Sequence, residues 1–160
     1  MALAQFTTGL DTVVAEIEVA APAERVFAAI TDPHQLMHWW GEKGACSAKL
    51  WELDARVGGR WRFEAADSNG GRVINGVSSF KANGEIVEYD PPRVLAYTWI
   101  ANWHCEPGRS TLVRWELFPE GEVTRVKVTH SGLADEPEAR KDYGGGWPSV
   151  VKYLKNFVER

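Results

Sequence analysis

Residues 143–159, YGGGWPSVVKYLKNFVE, decide the fold. Tyr143, Trp147, Val150, Val151, Leu154, Phe157 and Val158 recur at helical spacing, and Lys152, Lys155 and Glu159 fall on the other side. That spacing predicts an amphipathic helix. Gly144, Gly145, Gly146 and Pro148 predict a break, kink or restart near its beginning, after an earlier helical turn over 136–142. An apolar stripe of this length needs a broad partner surface. The rest of the chain supplies one only as the concave face of a sheet, so a long helix held inside a curved sheet is the economical architecture.

The remaining sequence reads as that sheet. In residues 12–20, Val13, Ala15, Ile17 and Val19 alternate with Glu16 and Glu18, the period-2 pattern of a half-buried strand. Pro22 then suits the first turn of a helix whose apolar side is Val26, Phe27, Ala29 and Ile30, with Glu24 near the positive end of its dipole. Thr31 or Asp32 can cap a second short helix that starts at Pro33 and carries Leu36, Met37 and Trp40. Strands are predicted over 48–53, 59–66, 72–80, 85–89, 94–101, 111–118 and 124–131. The breaks between them are turn-rich: Ser68-Asn69-Gly70-Gly71, residues 81–84, Asp90-Pro91-Pro92, Glu106-Pro107-Gly108 and Glu120-Gly121. Successive strands with short links and no helix between them argue an antiparallel meander. Residues 72–89 admit two readings, one long bent strand with a bulge or two strands joined at Asn83-Gly84. The fold class is α+β, a long C-terminal helix held by a curved antiparallel sheet with two short helices after the first strand, over one domain, residues 1–160, with its core at about 12–159.

Composition narrows the function. The chain of 160 residues is 44% hydrophobic and 25% charged, with 18 basic against 22 acidic side chains and a formal charge of −4. No basic run accompanies that balance, which argues against a nucleic-acid partner. No apolar stretch approaches the roughly 20 residues of a membrane span, and residues 1–9 lack the marks of a signal peptide. With only Cys46 and Cys105, the expectation is a cytoplasmic protein with reduced thiols. Eight tryptophans are unusual. Each indole carries an N–H needing a partner, so either a broad aromatic-lined cavity or a generously packed core uses them.

Alternation assigns faces. Trp61, Phe63 and Ala65 share one; so do Leu95, Tyr97 and Trp99, and so do Val113, Trp115 and Leu117. His130 has the parity of Val126 and Val128. The inward set is therefore aromatic at adjacent strands, with Tyr97 and His130 as polar tips, the usual make-up of a small-molecule pocket. Three roles stand open for His130: donating to a backbone carbonyl, touching a ligand, or moving a proton.

Five stretches carry a likeness: VAAPAERVFAAITDPHQLMHWWG from Val19, GGRWRFEA from Gly58, GEIVEYDPPRVLAYTW from Gly84, TRVKVTHSGL from Thr124 and GGWPSVVKYLKNFVE from Gly145. In this order they resemble the START-like (SRPBCC) superfamily, in the branch named for the activator of Hsp90 ATPase. The resemblance implies a helix-grip fold with a cavity between sheet and long helix. It also implies relatives that bind lipids, polyketides or other hydrophobic ligands, act as aromatase/cyclase-like enzymes, or are stress-associated. Pro22, Val26 and Phe27 match the family's first helix, Trp39-Trp40 the end of its second, Asp90-Pro91-Pro92-Arg93 its tight turn, and Gly146-Trp147 the entry to its last helix. Residues 72–81 look longer than the family's corresponding strand, where a pocket mouth or a dimer edge would differ.

The other constellations carry little chemistry. His34 and His38 are four apart on a helix but lack a third ligand, and read as surface or pocket-rim histidines. Cys105 beside His104 makes no catalytic pair by adjacency, Glu64 and Glu116 fall on outer faces, and the glycine runs lack the lysine of a phosphate loop. No metal, no cofactor and no catalytic residue is assigned. The expected function is binding of a small hydrophobic or aromatic ligand through Trp61, Phe63, Tyr97, Trp99, Trp115, His130, Trp147 and Val151. The alternatives are a cyclase- or hydrolase-like enzyme using His130 and Tyr97, and a stress-related interaction module without a ligand. A homodimer is left open. A cavity of some 300 Å³ or more with convergent polar tips discriminates binding from a closed core.

Overall fold

The computed structural model describes residues 5–8, 11–41, 46–67, 73–106 and 108–160. Strand β1 (Gln5–Thr8) and β2 (Val13–Val19) precede helices α1 (Ala23–Thr31) and α2 (Pro33–Trp39). Six strands follow: β3 (Cys46–Leu53), β4 (Arg60–Asp67), β5 (Ser79–Asp90), β6 (Val94–Ala101), β7 (Ser110–Glu120) and β8 (Val123–Ser131). Helix α3 (Pro137–Val158) closes the chain. The strands form one curved antiparallel sheet in the order β1-β2-β8-β7-β6-β5-β4-β3. The two short helices bridge β2 to the far edge at β3, and the meander then returns strand by strand to β8 beside β2. This is the α+β helix-grip architecture that the stripe on residues 143–159 required.

Local chemistry sets the helix boundaries. The Asp32 carboxylate accepts the His34 backbone N–H at 3.0 Å, so Asp32 caps α2, while the Thr31 hydroxyl donates back to the Phe27 carbonyl at 2.8 Å. Leu36, Trp39 and Trp40 are buried on that helix and its cap, whereas Met37 points outward and is 41% exposed. At the other end of the chain, the Glu159 carboxylate accepts the Ala20 N–H at 2.7 Å and the Lys155 ammonium donates to the Glu18 carbonyl at 3.0 Å. The end of α3 is thereby pinned beside β2, the strand its backbone approaches most closely.

The outer sheet face carries the expected charges. Arg62 pairs with Glu52 at 2.7 Å, and Arg114 with Glu116 at 2.8 Å and Glu88 at 3.1 Å. These pairs are largely solvated and contribute at most about 1 kcal/mol each.

Four features depart from the sequence reading. First, β1 pairs with β2 ahead of the first strand expected from alternation. Second, among the described residues of the strand expected over 72–80, the strand itself does not begin at 73. Ile74 and Val77 bridge across a tight turn in which Asn75 (φ 49°) and Gly76 (φ 81°) take left-handed backbone, and the strand starts only at Ser79. Third, of the two readings of residues 72–89, Asn83-Gly84 is no hairpin. β5 runs straight through it, and the glycine serves close packing: a side chain at position 84 would collide with the Thr98 carbonyl and the Trp61 indole. The Trp61 N–H crosses that gap to donate to the Thr98 oxygen at 2.8 Å. The bulge falls later, at Val87, between the pairs Ile86–Tyr97 and Glu88–Ala96. Fourth, α3 is continuous through Gly144–146 and Pro148, absorbing the turn expected at 136–142, with no break or restart. The residue whose carbonyl loses its N–H partner to the proline is Gly144, and one residue on the Ser149 hydroxyl donates to the Gly145 carbonyl at 3.3 Å. The turn expected at Ser68–Gly71 lies outside the described residues. No described helix is long and apolar enough to cross a membrane.

Candidate functional site

All eight tryptophans are at most 8% exposed, and they form one aromatic body between the sheet and α3. Among the described residues, five indoles have an acceptor inside the protein. Trp39 donates to the Ala29 carbonyl at 2.9 Å and Trp61 to Thr98 as above; Trp99 donates to the Tyr143 hydroxyl at 3.0 Å, Trp115 to the Tyr97 hydroxyl at 3.0 Å and Trp147 to His130 Nδ1 at 3.1 Å. The indole N–H groups of Trp51 and Trp103 are buried without a partner.

Beside this body lies a cavity of about 650 Å³. Its sheet side is Phe63 and Ala65 from β4, Phe80 from β5 and Trp99 from β6, with Trp103 following β6 and Trp40 at the end of α2. Its helix side runs down one face of α3, through Tyr143, Gly145, Gly146, Trp147, Val150 and Tyr153. Charged Glu138, Lys141 and Asp142 line the end nearest the start of the helix. The space exists because α3 leans on β2, at one side of the curved sheet, and leaves the β4–β6 side for ring systems. Gly145 and Gly146 extend it. A Cβ at either would meet no atom within 4 Å, so their bare backbone is demanded by no neighbour in the chain.

Of the ligand residues expected from alternation, Phe63, Trp99 and Trp147 stand in the cavity wall. Trp61, Tyr97, Trp115, His130 and Val151 are buried in the layer behind it. His130 is wholly buried, with Nε2 2.7 Å from the Thr111 hydroxyl and Nδ1 accepting from Trp147. Both ring nitrogens therefore have protein partners, where alternation alone allowed one to face a ligand. Burial, and secondarily the neighbouring His104 ring, push its pKa well below the ordinary imidazole value, so it is neutral near pH 7. Burial also raises the Tyr97 phenol far above its ordinary range, against the opposing Trp115 hydrogen bond.

Three residues of the polar end were missed: Trp103, His104 and Tyr143. His104 Nε2 lies 2.8 Å from the Tyr143 hydroxyl, and its Nδ1 is buried without a partner. The Trp103 ring packs against that of Tyr143, with centroids 6.1 Å apart. Burial lowers the His104 pKa, with the Glu136 carboxylate pulling the other way, and raises that of Tyr143 well above its usual value. Glu136 holds this corner together. Its wholly buried carboxylate accepts the Cys105 N–H at 2.7 Å, the Glu106 N–H at 3.3 Å and the Arg109 guanidinium at 2.7 Å, which clamps those three residues to the start of α3. Burial alone would raise that carboxyl, but the hydrogen bonds from Cys105 and Glu106 hold its pKa below the usual glutamate value. Tyr143 was visible in the helical stripe, but the other two sit in an irregular segment where strand parity says nothing.

His34 and His38 are exposed, and among the described residues no three His, Cys, Asp or Glu side chains gather as a metal site. Cys105 is exposed, its Sγ 3.3 Å from the Asp135 carbonyl.

Residues 20–159 match the sequence profile of the activator of Hsp90 ATPase homolog 1-like proteins. The chain belongs to that family. Solved structures agree with the assignment. Protein CV1439 from Chromobacterium violaceum is 25% identical, with a TM-score of 0.76 over 93% of this chain and 98% of its own. A protein from Arthrobacter aurescens, solved by NMR, superimposes with a TM-score of 0.77 at 18% identity, over 96% and 90% of the two chains. A Rhodobacter sphaeroides protein gives 0.75 at 20% identity, over 97% of each. The last two likenesses are of fold. Among curated proteins none matches the chain.

Proposed function

We propose that this family member binds a small hydrophobic or aromatic molecule between the sheet and α3, and acts as a binding protein rather than an enzyme. The observation that carries the reading is the cavity of about 650 Å³ walled by Trp40, Phe63, Phe80, Trp99, Trp103 and Trp147. Its size falls within the range of small-molecule pockets, and its wall is apolar except at one end. Phe63, Trp99 and Trp147 contact the ligand directly. Trp61, Tyr97, Trp115, His130 and Val151 hold those rings in place from behind. The proton-transfer alternative through His130 and Tyr97 has less support, since each is already hydrogen-bonded inside the protein and neither reaches the cavity wall.

Native mass spectrometry of gently purified protein, followed by displacement of the fluorophore 1-anilinonaphthalene-8-sulfonate by a panel of fatty acids and aromatic hydrocarbons, tests the reading. The expected result is a bound species or displacement that Gly146→Leu abolishes, because a side chain at that position enters the cavity. No bound species and no displacement across the panel would refute it.

A further inference from the structure

The hydrogen bonds around His130 run in one direction. The Trp99 carbonyl can only accept, so the single proton of the Thr111 hydroxyl goes to it, at 2.8 Å. The Thr111 oxygen is then the acceptor in its 2.7 Å contact with His130 Nε2, and that nitrogen carries the one N–H of the neutral imidazole. Nδ1 is bare and accepts the Trp147 N–H at 3.1 Å. Every proton is thereby placed in the chain from Trp147 through His130 and Thr111 to Trp99. Both ends of that chain, Trp147 on α3 and Trp99 on β6, belong to the cavity wall, so it ties the helix side of the cavity to the sheet side.

The arrangement accommodates one proton on the imidazole and not a second. A proton added at Nδ1 would point at the Trp147 N–H, setting donor against donor across 3.1 Å. The titratable groups that face His130 are the Tyr143 phenol on α3, with ring centroids 4.3 Å apart, and the His104 imidazole, which further disfavours a positive charge there. The other neighbours are neutral: Val13 on β2, Thr111 and Val113 on β7, Trp99 on β6 and Trp147 on α3. None of these groups is a carboxylate. An imidazolium here therefore lacks a counter-charge and is relieved by turning the Trp147 ring away, so that water reaches Nδ1.

We propose that a proton taken up by His130 unseats Trp147 from the cavity wall, so that the protein holds its ligand at neutral pH and releases it in acid. The inference rests on the ligand-binding reading above and adds the regulation of that site. Its sign follows from the geometry. A ligand packed on Trp147 favours the neutral ring, so the free protein accepts a proton that the complex refuses. Burial keeps His130 neutral until the pH is well below the ordinary imidazole value. Affinity should therefore be level near pH 7 and fall in acid, by up to about tenfold per pH unit below the value of His130 itself.

The test is titration with N-phenyl-1-naphthylamine, an uncharged fluorophore, in steps from about pH 7.5 to about pH 4.5. Circular dichroism at each step marks the range in which the protein is folded. Within that range the unmodified protein should lose affinity by about fivefold or more. His130→Gln supplies an acceptor and a donor but does not titrate, and should bind with level affinity. Trp147→Phe leaves the imidazole free to titrate but removes the opposing N–H, and should flatten the profile as well. His104→Gln should keep the fall. The ratio of affinities at the two ends of the range is the readout, since loosened packing weakens binding at both. Three results overturn the proton switch and leave ligand binding standing: level affinity in the unmodified protein down to the pH of unfolding, a fall that survives in His130→Gln or Trp147→Phe, or a fall lost in His104→Gln. No binding at pH 7.5 overturns both readings.

Discussion

Replacing Gly145 and Gly146 by alanine should make the protein more stable and a poorer binder. Both residues lie in the interior of α3, where glycine is about 0.8–1 kcal/mol less favourable than alanine. Neither has positive φ, and an added Cβ meets nothing within 4 Å, so no strain or clash offsets the gain. Each substitution should therefore raise the unfolding free energy by about 0.8–1 kcal/mol, and the pair by about 1.6–2 kcal/mol if they are independent. For a chain of this size that is a rise of roughly 4–8 °C in melting temperature. Urea unfolding and calorimetry measure the first effect, and 1-anilinonaphthalene-8-sulfonate titration the second. Both positions line the cavity, so the two methyl groups should take up part of its space and weaken binding severalfold. A double variant of unchanged or lower stability would refute the geometry of the helix face. Added stability with undiminished binding would show that the glycines do not face the ligand.

Three further outcomes follow from the same packing. Trp147→Ala should lower stability by about 3–5 kcal/mol, since it removes a ring in contact with Trp40, Trp99 and Trp115 and strips His130 Nδ1 of its donor; an unchanged urea midpoint would refute this. His104 and His130 both have folded pKa values depressed by burial, so the unfolded chain takes up their protons first. Their contribution is complete above the unfolded value near 6.5, and stability should fall as pH drops below it, by at most about 1.4 kcal/mol per unit for each and only until its own folded value is reached. Urea titrations that give the same stability at pH 7.5 and 5.5 would contradict that assignment. Glu136→Ala should cost about 3 kcal/mol, by removing the carboxylate that Cys105, Glu106 and Arg109 share; hydrogen exchange should accelerate across 102–109, and unaltered protection there would show that the clamp is not what orders the segment.

Much of this architecture was legible in the chain itself. The helical stripe of α3 and the alternation in β2, β4 and β6–β8 rest on periods of 3.6 and 2, which a backbone imposes locally whatever surrounds it. They sufficed to place the long helix inside an antiparallel sheet, to turn Trp61, Phe63, Tyr97, Trp99, Trp115 and His130 inward, and to leave Glu64 and Glu116 on the outer face. Parity says which face a side chain takes, but not whether it meets a void or another ring. Only the tertiary structure decided that Phe63, Trp99 and Trp147 border open space, while Tyr97 and His130 are occupied by Trp115, Thr111 and Trp147. It alone decided that Asn83-Gly84 lies under an indole instead of forming a turn, because the atom that excludes a side chain there belongs to Thr98, far along the chain. The polar corner shows the same limit. Trp103 and His104 have no periodicity to be read from. They reach Tyr143 because a carboxylate more than thirty residues away, at Glu136, gathers the donors of their segment, and pairings at that range are set by the closed fold.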